Sequence, residues 1–292
     1  MNLVIHADNL SVLKVLPDNS IDLIYIDPPF NTGKKQTRYR IKTERSETGN
    51  RVGFGGRKYI THKLLTSSFN DCFDDYSGFL EPRLIETLRI LKPTGSFYFH
   101  GNYREIHYVK VMLDGIFGRK NFINEVIWAY DYGARSKKRW SAKHDTILLY
   151  AKDRKKFYYD YASIERIPYL APSLVGPEKA ARGKTLTDCI FKTIVPTNSR
   201  EKTGFCTQKP LSLINQFVRV SCPPGGMVLD YFAGSGTTGE SAVNNGRQFM
   251  LVDCSTEAMI VMRKRFEYRD DVVKFFDLDN WLATVQNCHI GY

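Results

Sequence analysis

The sequence predicts an α/β fold, a doubly wound and mostly parallel sheet interrupted by two irregular regions. Three observations carry that reading. Near the N-terminus, residues 21–27 form an almost wholly apolar run after a short strand–helix pattern, and strands of that kind are buried on both faces of a parallel sheet. A second apolar run, residues 227–232, leads into Gly234-Ser235-Gly236-Thr237-Thr238-Gly239, the strand–turn–helix punctuation of a βαβ unit. Only 53 residues follow Gly239, too few to finish such a sheet, so the missing strands must come from the N-terminal half.

The elements follow in order. Residues 3–7 and 21–27 read as strands joined by a helix, which Asp8 can cap and on which Leu10, Leu13 and Leu16 share a face. Residues 31–70 hold few periodic apolar positions and many Gly, Thr and Ser. Within them, residues 34–63 carry ten Lys/Arg against two Glu. A loop this long is expected to be functional or disordered. A helix-to-strand pattern covers 76–99, with Lys92-Pro93-Thr94-Gly95 as its turn. A helix over 103–117 and strands at 126–128 and 146–150 come next. Residues 152–205 are basic and irregular, dense in aromatics at 157–161 and broken by Pro168, Pro172, Pro177 and Pro196. Order returns with a strand at 227–232, the glycine turn, a helix over 237–245 with Gly246 near its end, a strand at 248–253 and a basic helix from Thr256. No element is assigned beyond Asp271. The chain is thus expected to divide into residues 1–150 with the basic insertion 31–70, residues 151–205, and residues 206–292.

Composition narrows the partners. Apolar residues make up 42% of the chain, which excludes a disordered protein, and no run of 18 apolar residues marks a membrane span. The net charge of +11 and pI of about 9.3 favour an acidic partner, either nucleic acid or an anionic surface. Without a membrane segment or a secretory signal, nucleic acid is expected and no membrane is. Cysteines 72, 189, 206, 222, 254 and 288 include no C-x-x-C pair, so we expect reduced thiols in the cytoplasm and no metal site.

The glycine turn reads as a cofactor site. Gly234, Gly236 and Gly239 fit G-x-G-x-x-G, and Asp253 ends the next strand 23 residues after Asp230. Glycines let backbone approach a cofactor closely, and an acid at the second strand's end accepts from ribose hydroxyls. The glycines alone fit NAD equally well, and a tight turn without a ligand is the plainer alternative. Asp230 either binds the cofactor or fixes the turn.

Asp27-Pro28-Pro29-Phe30 sits at another strand's carboxyl end, so the two motifs should face one crevice. Hydride transfer has no use for it. It suits an aromatic amine, whose nitrogen lone pair is delocalised into the ring. A carboxylate on Asp27 and the Pro28 carbonyl can accept the two amine hydrogens and draw the nitrogen toward a tetrahedral, more nucleophilic state. The prolines hold these acceptors in place, and Phe30 offers a flat face to a base taken out of its helix.

The order D-P-P-F, a variable basic segment, T-Q-K-P at 207–210 and D-x-F-x-G-S-G-T-T at 230–238 resembles the β-class DNA amino-methyltransferases. His6-Ala7-Asp8-Asn9-Leu10, residues 121–128 and Lys143-His144-Asp145-Thr146-Ile147 extend the likeness over most of the chain. The resemblance implies a Rossmann-like methyltransferase fold with circularly permuted motif order. It implies methyl transfer from S-adenosylmethionine to adenine N6, or alternatively cytosine N4, in double-stranded DNA, often within restriction-modification systems beside a cognate endonuclease. Family members often pair as homodimers. By the same resemblance Asp8, Lys209, Asp230, Phe232, Gly234, Ser235, Gly236, Thr237, Thr238 and Asp253 belong to the cofactor side, Asp27, Pro28, Pro29 and Phe30 to the catalytic side, and residues 151–205 to target recognition. The chain departs from the family at Phe30, where Tyr is commoner, at Tyr231, where Pro is usual, at Phe205-Cys206, where His-Pro is usual, and after His100, where Gly101-Asn102 replaces a frequent Asp.

Some residues keep two readings. Asp8 contacts the cofactor or caps its helix. Lys209 meets the cofactor's carboxylate or sits in solvent before Pro210. His100, His107 and His144 read as packing or surface. The basic stretch 34–63 reads as a DNA contact through its clustered Lys/Arg, or as a solvated surface.

Overall fold

The computed structural model describes residues 2–49, 51–52, 56–196, 198–269 and 272–287. Along the chain run β1 (Asn2–His6), α1 (Asn9–Val15) and β2 (Ile21–Ile26), then β3 (Lys34–Arg45), β4 (Arg51–Val52) and β5 (Lys58–Asp71). Next come α2 (Tyr76–Ile90), β6 (Leu91–Gly101), α3 (Ile106–Leu113), β7 (Phe122–Ala129) and β8 (His144–Ala151). Short elements follow: β9 (Arg166–Ile167), α4 (Pro177–Arg182), β10 (Lys184–Thr185) and β11 (Cys189–Phe191). The chain closes with α5 (Leu211–Ser221), β12 (Met227–Asp230), α6 (Thr237–Asn244), β13 (Gln248–Asp253), α7 (Thr256–Arg265), β14 (Val273–Asp277) and α8 (Leu278–Asn287).

Two compact units result, one from residues 1–28 and 77–292, the other from residues 29–76. The larger unit is built on a nine-stranded sheet in the order β11-β7-β8-β6-β2-β12-β13-β1-β14. Within it β8 alone runs antiparallel to its neighbours. This is the doubly wound, mostly parallel sheet that the sequence predicts, with strands from the C-terminal third completing one begun at the N-terminus. Every residue of β2 is buried, as its apolar run requires. The predicted turn at 92–95 survives inside β6, where pairing with β2 jumps from Ile21–Leu91 to Leu23–Ser96. Helix α5 lies outside the elements expected from the sequence; it lays Leu213, Ile214, Phe217 and Val218 on the sheet, with Phe217 stacked on Tyr98 at 4.6 Å. The unassigned tail supplies β14, an edge strand beside β1. Among the described residues no helix is long and apolar enough to cross a membrane.

The smaller unit corrects the expectation of a loop over 31–70. There β3 and β5 pair antiparallel from Lys34–Asp71 to Arg45–Tyr59, and β4 adds to β5. A signal was present: Thr37, Tyr39, Ile41 and Thr43 alternate with Arg38, Arg40, Lys42 and Glu44, the two-residue period of a strand. Charge on every second position masks it from a search for apolar runs. Pro29 and Phe30 open this unit. Tyr76 donates to the Pro29 carbonyl at 2.6 Å, Asn31 accepts from the Phe73 amide at 3.1 Å, and Thr32 hydrogen-bonds Asp71.

Candidate active site

In the larger unit the strand order reverses between β2 and β12. From β2 the chain's next strand of this sheet, β6, lies on one side; from β12 the next, β13, lies on the other. Open α/β sheets bind ligands outside the carboxyl ends of the strands at such a switch point. The two strands pair in parallel with Leu23 opposite Val228 and Ile24 opposite Leu229, so Asp27 and the glycine turn leave the same edge side by side.

The turn is held by two carboxylates. Asp230 is 3% exposed; one oxygen accepts from the Phe232 amide at 3.0 Å and the other from the Thr238 hydroxyl at 2.6 Å. Burial pushes its carboxyl up to about 7, against those two hydrogen bonds, and the nearby Asp27 and Asp253 push the same way. Asp253 accepts from the Gly234 amide at 2.8 Å and the Ser255 amide at 2.8 Å, and burial raises its carboxyl against those bonds. Gly234 and Gly236 have φ of +50° and +75°. A Cβ at Gly236 would come within 2.9 Å of Met262 Cγ. Arg265 binds the turn from below, donating to the Ser235 carbonyl at 2.6 Å and pairing with Glu240, while burial lowers its guanidinium to about 10. The N-cap Gly236 offers α6 no side-chain cap, and the Thr237 and Thr238 hydroxyls stand in its first turn, bonded to Ser235 and Asp230.

At the end of β1, Asp8 caps α1 through the Leu10 amide at 3.1 Å and also accepts from Arg83 at 3.0 Å. Arg83 donates to Asn9 at 2.6 Å, and Asn9 donates to the Tyr231 carbonyl at 2.7 Å. The Arg83 guanidinium lies 4.0 Å over the Phe79 ring, whose centroid is 6.0 Å from that of Phe232. Asp8 and the glycine strand therefore belong to one cluster. Tyr231, where the family has Pro, uses its hydroxyl on Thr87 at 2.8 Å.

Asp27 differs from these acids. Its Oδ2 is ion-paired with the buried Lys209 ammonium, whereas its Oδ1 is buried and accepts no hydrogen bond from any of the described residues. The Lys209 carbonyl accepts from the Thr237 hydroxyl at 3.3 Å. Lys209 thus joins the two motifs, 182 residues from Asp27 in sequence. It does not sit in solvent. Gln208 holds the T-Q-K-P segment by accepting from the Thr203 amide at 2.9 Å and donating to the Glu201 carbonyl at 2.7 Å. Pro28 ends the first segment of the larger unit; Pro29 and Phe30 are in the smaller one.

Under Asp27 lies a polar chain that sequence reasoning missed. The Tyr25 hydroxyl is 2.7 Å from His100 Nδ1, His100 Nε2 is 3.2 Å from Asp145, and Tyr130 donates to the other Asp145 oxygen at 3.2 Å. His100 is fully buried, as its reading as a packed residue requires. Burial drives the Tyr25 phenol well above its ordinary range, with the Asp27 carboxylate as the next cause. The only sequence hint was Asp145 inside K-H-D-T-I; its partners come from other strands.

Comparison with known proteins agrees with this geometry. The family described as DNA methylase matches residues 21–264. The chain is 27% identical over 282 residues to the DNA adenine methyltransferase YhdJ of Escherichia coli strain K12, covering 90% of this chain and 82% of that protein. It is 30% identical over 274 residues to the type II methyltransferase M.HinfI of Haemophilus influenzae, covering 91% and 68%. Among solved structures, the PvuII DNA methyltransferase (cytosine-N4-specific) shares the fold with a TM-score of 0.63 at 16% identity, covering 96% of each chain. The M1.HpyAVI–SAM complex does so with a TM-score of 0.58 at 20% identity, covering 91% of this chain and 99% of that one.

Proposed function

The chain belongs to the N6/N4 DNA methylase family, and from that premise we propose that it methylates adenine N6 in duplex DNA, taking the methyl group from S-adenosylmethionine after the base has been turned out of the helix. The observation that carries the reading is the unfilled buried oxygen of Asp27 at the switch point beside the glycine turn. A buried acceptor without a donor is costly, by about 1–3 kcal/mol, and an incoming amine hydrogen would satisfy it. The choice of adenine is supported by the name of the YhdJ relative. The same grip would serve the N4 amine of cytosine.

The residues present fit the donor. Bound S-adenosylmethionine supplies an electrophilic methyl group. The glycine turn, the uncapped start of α6 and Asp253 offer backbone amides and a carboxylate for its polar groups, and the Asp8–Arg83 cluster flanks them. Phe232 and Ser235 complete the turn. Asp27 Oδ1 and the Pro28 carbonyl accept the amine hydrogens and raise the electron density on the reacting nitrogen. Phe30 stacks on the extruded base. Lys209 orients the Asp27 carboxylate and stands ready to meet an anionic group of the donor. Residues 151–205 read the target sequence, and the basic stretch 34–63 neutralises phosphates. A cytoplasmic location, a homodimer and a cognate endonuclease are part of the same proposal.

The test is expression in a methylation-free host followed by genome-wide mapping of modified bases. We expect N6-methyladenine at one short motif, absent with Asp27→Ala. N4-methylcytosine instead would reassign the base, and an unmodified genome would refute the activity.

A further inference from the structure

We infer that the loop between β7 and β8, residues 130–143, is a second DNA-contacting element, with Lys137, Lys138 and Arg139 on phosphates and Trp140 stacked on an exposed base. The inference rests on the reading of the substrate as duplex DNA. It assigns contact to a segment outside both the basic stretch 34–63 and residues 151–205.

Position is the first argument. β8 runs antiparallel to both β6 and β7, so β7 points the same way as β2 and its carboxyl end opens on the edge that carries Asp27. The root of the loop is tied there. Tyr130 donates its amide to the Lys143 carbonyl at 2.9 Å, and its hydroxyl reaches Asp145 of the polar chain under Asp27.

Shape is the second. The Lys143 ammonium gathers the carbonyls of Tyr132, Gly133 (2.9 Å) and Ala134 (3.4 Å). The Ser136 amide donates to the Ser141 hydroxyl at 2.7 Å, and the Lys138 amide to the Ser136 hydroxyl at 3.2 Å. These bonds fold the loop on itself and present its tip outward.

Chemistry is the third. Residues 131–143 carry Arg135, Lys137, Lys138, Arg139 and Lys143 against Asp131, which pairs with Arg135 at 2.7 Å. Residues 131–140 are all exposed, and Trp140 is 99% exposed. A bare indole forfeits the large apolar area that usually draws Trp inward. Three cations immediately before it argue against an apolar protein groove. They match a polyanion with flat faces, the combination that single-stranded and unstacked bases offer to basic, aromatic surfaces.

The chain supplies its own probe. Of its three tryptophans, Trp128 and Trp281 are each 2% exposed, so acrylamide quenching of fluorescence reads Trp140. The experiment uses the full chain and sheared duplex DNA from a methylation-free host. DNA should shield the quenchable component, and Trp140→Phe should remove that component. The triple variant Lys137→Gln, Lys138→Gln, Arg139→Gln should lower the slope of log affinity against log salt by about 2.7, near 0.9 per phosphate contact. If wild type binds and methylates DNA while Trp140 stays quenchable and the slope is unchanged, the loop assignment is overturned and the methylase reading stands. If wild type neither binds nor methylates, both fall. Shielding that grows with protein concentration in the absence of DNA would give the loop to a second copy of the chain and also overturn it.

Discussion

Asp27 and Asp230 end neighbouring parallel strands, yet they live in opposite electrostatic settings. Asp230 has both oxygens filled by its own turn, through Phe232 and Thr238, and burial pushes its carboxyl up to about 7. Asp27 has one oxygen against the Lys209 ammonium and one that accepts nothing from the described residues. Position in the fold does not separate a carboxylate that builds a turn from one that awaits a substrate. The count of filled acceptors does.

Breaking this contrast at Asp27 should have the largest effect. Asp27→Ala is expected to lower methyl transfer by on the order of 10³-fold while calorimetry finds donor binding within a few-fold of wild type. Loss of donor binding instead would move Asp27 to the cofactor side. Lys209→Met comes next, because it strands the Asp27 charge in a buried place. A stability loss of roughly 3–5 kcal/mol is expected in denaturant melts, together with slower turnover, and Asp27→Asn in the same chain should restore much of the stability but not the turnover. Gly236→Ala forces a side chain into φ +75° against Met262, and should cost about 1–3 kcal/mol with weaker donor binding.

The mildest change, Asp230→Asn, sharpens the comparison through pH. The folded carboxyl titrates near 7 and the unfolded one near the ordinary value of about 4. Between those values the folded chain holds a proton that the unfolded chain has released. Stability from this group is therefore full below about pH 4 and declines until about pH 7. The amide cannot ionise and keeps an oxygen for Phe232. Melting temperatures taken from pH 5 to 8 should fall less steeply in the variant; parallel curves would contradict the buried charge.

What the sequence disclosed was local. The βαβ opening and the glycine turn rest on residues within thirty positions of each other, where period and punctuation suffice. Alternation in Thr37, Tyr39, Ile41 and Thr43 was equally local but hidden by interleaved charge. Helix α5 follows Pro210 with apolar residues at 213, 214, 217 and 218, a helical spacing equally local but short enough to blend with the irregular stretch before it. The Lys209–Asp27 pair and the Tyr25–His100–Asp145–Tyr130 chain lie beyond any such reading, since the sheet order alone brings them together. Asp8 does cap its helix, and the structure adds Arg83 as a partner that spacing did not suggest.

The placement of β1 has a consequence for synthesis. Both its neighbours, β13 and β14, are encoded near the end of the message. At roughly 5–20 residues per second a ribosome needs about 12–50 s to deliver them, and through that interval the first strand has no ladder to join. Nascent chains halted before residue 248 would keep two bare strand edges, the feature that invites aggregation and chaperone capture. Abortive translation should thus yield fragments for proteolysis, not shortened proteins that occupy genomic sites.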